Sequence, residues 1–174
     1  MTLYETFSNS KRMISEYPFI PKSTAYLKPG HFWSIPLDNG GFACGRVVEL
    51  AVEENGRQHS RLFLAGLMDW TSDKPPTVES IADCKFIKQS EVHIKTITAN
   101  NGEILGFRPL EADNLEPQFF LSQSGGGRYC YLQKGYEILR RATEEERKLY
   151  PVFSSSGYGV IKNLAEKHFA DKHK

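Results

Sequence analysis

The chain has 174 residues, of which 40% are hydrophobic and 25% charged, with a net charge of +1; these values suit one globular domain and exclude a wholly disordered chain. The three cysteines, Cys44, Cys84 and Cys130, are odd in number and far apart, which points to free thiols in a reducing compartment. No apolar run reaches the roughly 18 residues of a membrane span, and the N-terminus lacks the uninterrupted apolar stretch of a secretion signal, so a cytoplasmic protein is expected.

Along the chain, residues 2–17 place Leu3, Phe7, Ile14 and Tyr17 at helical spacing, with Thr2 and Glu5 as a capping-box pair. A helical N-terminal extension over 1–27 follows from this. Pro18 and Pro21 punctuate it, and Lys28-Pro29-Gly30 turns into a strand-like run at 31–37. Asn39-Gly40 then leads to a second run at 42–52, and Asn55-Gly56 to a third at 60–68. A third such step, Asn101-Gly102, joins 91–98 to 104–107. Asn-Gly tolerates the positive φ of tight turns, so the three steps predict an antiparallel meander. Residues 78–82 read as a short helical turn, and 108–128 as irregular because of Pro109, Pro117 and Gly125-Gly126-Gly127. A last strand pair, 129–132 with 136–139, turns at Lys134-Gly135.

Residues 28–140 thus form the expected β domain, followed by a helical tail over 141–174. In that tail, Thr143 and Glu146 have capping-box spacing and Pro151 bounds the helix. Residues 154–157 read as a flexible spacer. Val160, Ile161, Leu164, Ala165, His168 and Phe169 then share one helical face, which a helix this short must bury to be stable. The fold class is α+β: a mainly antiparallel, twisted or barrel-like sheet with peripheral N- and C-terminal helices.

No reaction chemistry is spelled out. The five histidines show no paired spacing, and no two cysteines approach a Cys-x-x-Cys arrangement, so no metal site is expected. No nucleophile elbow occurs. Gly125-Gly126-Gly127-Arg128 lacks the Gly-Lys-Ser/Thr ending of a phosphate loop, and Gly157-Tyr158-Gly159 lacks the third glycine of a dinucleotide fingerprint. Neither a catalytic residue nor a cofactor is assigned. Charge is uneven: residues 31–120 hold eight basic and thirteen acidic residues, against an excess of +2 before them and +4 after. An acidic middle disfavours nucleic acid as its ligand and suits a basic partner. The basic Tyr/Arg segment 128–147 keeps a nucleic-acid-binding module as the alternative.

One segment carries a family resemblance. Lys28-Pro29-Gly30-His31-Phe32-Trp33-Ser34-Ile35-Pro36-Leu37, then Asp38-Asn39-Gly40, then Phe42-Ala43-Cys44-Gly45-Arg46-Val47 resembles the start of the immunity protein 26 family, with His31 where that family has an acidic residue. Gly106-Phe107-Arg108-Pro109-Leu110 and Glu116-Pro117-Gln118-Phe119-Phe120 are similar to its final segment, so the likeness spans about 28–140. The resemblance implies a bacterial protein that neutralises a cognate toxin of a polymorphic toxin system by stoichiometric binding, not an enzyme. The net acidity of 31–120 would match a basic toxin. The residues expected to meet such a partner are Asp69, Trp70, Asp73, Glu111, Asp113 and Glu116, with Trp70 suited to an interface hot spot.

Overall fold

A computed structural model describes residues 16–124, 129–170 and 172. The helix expected at 2–17 falls almost wholly outside these residues.

Two open sheets build the fold. The larger contains β1 (His31–Pro36), β2 (Phe42–Val52), β3 (Gln58–Ser72), β4 (Phe86–His93), β5 (Ile104–Phe107) and the two-residue β9 (Ser155–Ser156), in the order β5-β1-β2-β3-β4-β9. The smaller contains β6 (Phe119–Ser124), β7 (Tyr129–Lys134) and β8 (Glu137–Arg141), in chain order. The helices are α1 (Lys95–Thr98), α2 (Glu144–Leu149) and α3 (Val160–Phe169). The α+β class holds, but the sheets do not close into a barrel: β5 and β9 end the larger sheet on opposite edges.

The meander β1-β2-β3 forms where Asn-Gly was expected to turn the chain. Each connection closes on a three-residue turn, 38–40 and 54–56, through Leu37 N to Gly41 O and Glu53 N to Arg57 O, and only the glycine takes positive φ, Gly40 at 86° and Gly56 at 79°. The asparagine fixes the turn instead: Asn39 Oδ1 accepts from Gly41 N at 2.9 Å, and Asn55 Oδ1 from Arg57 N at 2.9 Å.

The third Asn-Gly step behaves differently. Residues 95–98 are helical, and Asn101 (φ 58°) follows that helix as a left-handed stop, with Gly102 N donating to Ile97 O at 2.9 Å. The chain then crosses to the far edge, where β5 pairs with β1, not with β4. Two further expectations are corrected. Residues 119–124 are strand β6, because their alternating Phe120 and Ser122 share a face with Gln133 and Tyr131 of β7. Ser155-Ser156 is no spacer but pairs parallel to β4 at Glu91 and Val92.

Three apolar clusters hold the layers. One face of the larger sheet packs Trp33, Ile35, Val47, Phe63, Leu67 and Val92 under α1 and α3. The expected face of α3 is the one buried, through Ile161, Ala165 and Phe169, while Val160 and His168 remain exposed. Asp38, in the first Asn-Gly turn, pairs with Lys162 at 3.1 Å, and its backbone N donates to Glu166 Oε1 at 2.7 Å, so that turn also anchors α3. The opposite face packs Phe32, Cys44, Val48, Leu64 and Met68 against Phe120 of the smaller sheet. The smaller sheet's outer face buries Leu121, Leu132 and Ala142, with Tyr150 packed on them. Before that, the capping box of α2 forms as expected: Thr143 Oγ1 accepts from Glu146 N, and Glu146 Oε2 from Thr143 N.

His31 opens β1 as a buried neutral ring. Its Nδ1 accepts from Lys28 N at 3.1 Å, so Nε2 carries the proton and donates to Tyr17 Oη at 3.1 Å. Burial, then the Lys28 charge, lowers its pKa from 6.5 to about 4. A folded pKa below the unfolded one means that the ring's stabilisation is complete above pH 6.5 and is lost as pH falls from 6.5 towards 4. The loss amounts to on the order of 3 kcal/mol. Urea titrations between pH 7 and 4 should show this slope, and His31→Gln should flatten it.

Candidate partner-binding surface

The six expected contact residues occupy three places. Asp69 and Trp70 lie near the end of β3, followed by Asp73 in the next loop. Asp69 is anchored through its N–H to Lys85 O at 2.8 Å, and its carboxylate lies 3.4 Å from His168 Nε2 of α3. Trp70 is half-buried against the second core cluster. Asp73 is exposed and accepts from Ser72 Oγ at 3.3 Å. Glu111 is exposed on a 3-10 turn, Leu110–Asp113. Glu116, its side chain 68% exposed, pairs with Lys134 Nζ of the smaller sheet at 2.8 Å.

Asp113 does not present its carboxylate to a partner. Its side chain is wholly buried between two guanidiniums: Arg46 Nη1 lies 2.9 Å from Oδ2, and Arg108 donates through Nε at 2.8 Å to Oδ2 and through Nη2 at 2.8 Å to Oδ1. Asp83 N adds a bond at 2.9 Å to Oδ1. Arg46 also donates to the Arg108 carbonyl. The hydrogen bonds from Arg108, outweighing burial, hold the Asp113 carboxyl far below the usual carboxylate range. This ion triad ties β2 to the 108–113 segment and the turn at 83.

Sequence reasoning missed the triad, although a signal exists. Arg46 sits at period two with Cys44 and Val48 in an apolar strand, and all three are buried. A charge on an inward position demands a buried counter-ion.

A second missed group joins the sheets. Glu49 of β2 and Glu91 of β4 both align with Leu64 of β3, and so lie on one face. Tyr136, in the β7–β8 turn, donates through Oη to Glu91 Oε2 at 2.9 Å and through N to Glu49 Oε2 at 3.2 Å. Ser155 Oγ donates to Glu91 Oε1. Burial raises the pKa of both Glu49 and the Tyr136 phenol. Gly135 has φ 55°, and a Cβ there would also press on Pro117 and the Glu49 carboxylate, so that turn favours glycine.

Burial pushes the Cys44 thiol strongly upward, and burial with the nearby Asp113, Asp69 and Asp83 raises Cys84, so both favour the thiol over the thiolate. Among the described residues, no three His, Cys, Asp or Glu side chains are grouped to hold a metal ion. In the basic segment, Arg140 pairs with Glu146 at 2.5 Å, and Arg141 lies over the Tyr129 ring at 4.6 Å. No described helix is long and apolar enough to cross a membrane.

Exposed carboxylates thus lie near the end of β3 and around the 3-10 turn, the latter braced by the buried ion triad. The chain belongs to the immunity protein 26 family, whose model matches residues 28–130, more than half of its length. Comparison with curated proteins returned no match, and neither did comparison with solved structures.

Proposed function

We propose that the protein binds a cognate bacterial toxin stoichiometrically in the cytoplasm and neutralises it without turnover. Membership of the immunity protein 26 family is the observation that carries this reading. The excess of acidic over basic residues in 31–120 supports a basic toxin, because complementary charge accelerates encounter and disfavours wrong partners. Asp69, Asp73, Glu111 and Glu116 are the carboxylates placed to contribute, with Trp70 as an apolar neighbour. The nucleic-acid alternative has weaker support, since Arg140 and Arg141 are already engaged within the fold.

Co-expression with the toxin encoded beside this gene should restore growth, and the purified pair should form a 1:1 complex. Failure to protect against any neighbouring toxin would sink the proposal. Replacing Asp69 and Asp73 together by lysine should slow association about tenfold at low salt, with the difference shrinking as salt is added. An unchanged association rate would remove the electrostatic part of the reading.

A further inference from the structure

We propose that the toxin inserts an extended segment into the cleft beside β4, pairing with that strand's open edge and seating one apolar side chain in the adjoining cavity. This inference rests on the toxin-binding reading and names the surface through which it works.

β4 spans Phe86–His93, but its outer neighbour β9 pairs with it only at Glu91 and Val92. The edge of Phe86–Ser90 therefore has no strand partner among the described residues, the condition under which an extended peptide can add to a sheet. The far wall of the cleft is segment 151–154. There Pro151 O accepts from Leu121 N, and Phe153 N donates to Leu121 O, both at 2.8 Å. Because backbone groups alternate along an extended chain, the Val152 amide and carbonyl point away from β6. Between the walls lies a cavity of about 320 Å³ that Ile87, Lys88, Ser90 and Val152 help to line.

A second cavity, of about 450 Å³, opens beside it and shares Gln118 and Pro151 with the first. Phe86, Leu115, Phe119 and Tyr150 give it carbon walls, with Glu116 among its lining residues. Its size and apolar lining suit a bulky side chain.

Three observations select the occupant. The unpaired backbone calls for a peptide strand. β9 shows that this same edge accepts a strand in parallel, so an inserted segment would continue an existing pairing. The Glu116 carboxylate pairs with Lys134 but is 68% exposed, so it can take a second cation next to the apolar anchor, in keeping with a basic partner. A second copy of this chain is the competing occupant; two-fold pairing of β4 edges about Lys88 would set lysine against lysine.

The test uses the full chain and the neighbouring toxin in a catalytically inactive form. In the complex, amide exchange within 86–90 should slow by about tenfold or more. Gln118→Trp fills the cleft while leaving the backbone bond from residue 118 N to Gln89 Oε1, 3.0 Å. It should weaken toxin binding about 100-fold, and Glu116→Lys should weaken it less. If the complex forms while 86–90 exchange as in the free protein, the cleft is overturned and the immunity reading stands. Slowed exchange in a toxin-free dimer would assign the edge to a second copy and likewise overturn the proposal. If the wild-type chain neither binds nor protects, the immunity reading fails and takes the cleft with it.

Discussion

Asp113→Ala should destabilise the protein by about 3–5 kcal/mol, because it strands the fully buried Arg46 without its counter-ion. For a chain of this size the melting temperature should fall by roughly 10 °C or more. The cost comes chiefly from desolvated charge left unpaired, so Arg46→Met combined with Asp113→Leu should recover much of it. Calorimetry on the two variants separates these cases, and equal destabilisation would show that packing, not charge, dominates. Acid provides an independent check. The carboxyl titrates lower in the folded than in the unfolded state, so its contribution is present above the unfolded value near pH 3.8 and is lost below it. That window lies below the one in which His31 acts, and the two slopes should be separable in one pH series.

Trp33→Ala should cost about 3–5 kcal/mol through the cavity left in the principal core. The indole is 1% exposed and lies edge-on to Phe63, with ring centroids 6.0 Å apart. It also covers Gly45, its direct partner across β1 and β2, and a Cβ there would overlap the indole. Gly45→Ala alone should therefore cost about 1–3 kcal/mol by overpacking. In the Trp33→Ala background the same change should be close to neutral, since the space is vacated. A double-mutant cycle by urea denaturation measures the coupling; additive effects would mean that the indole does not select glycine at position 45.

The parts of this fold legible in the sequence are those fixed by neighbours along the chain. Asn39 and Asn55 bond to backbone two residues ahead, Thr143 and Glu146 cap each other, and the α3 face is written in a 3.6-residue period. The same local grammar failed at Asn101-Gly102, since asparagine in the left-handed region ends a helix as readily as it helps to turn a hairpin. Choosing between them required knowing that 95–98 wind against the sheet and that β5 finds β1. Likewise, nothing local in 119–124 announces a strand, and Ser155-Ser156 becomes one only because the edge of β4 lies beside it.

The candidate surface divides along the same line. Composition revealed an acidic central region, and the wording of 28–47 with 106–120 pointed to the family. It could not tell which carboxylates face water. Asp113 and Glu111 are two residues apart, yet one is locked between Arg46 and Arg108 and the other is exposed. Burial and ion pairing depend on segments far apart in the chain, 67 residues in the case of Arg46 and Asp113. The first two hairpin turns, the α2 cap, the buried face of α3 and the family were legible along the chain, because each is carried by short-range chemistry or by the wording of the chain. Strand order and the choice of which charges act as struts came only with the folded chain, because those follow from which distant surfaces exclude water together.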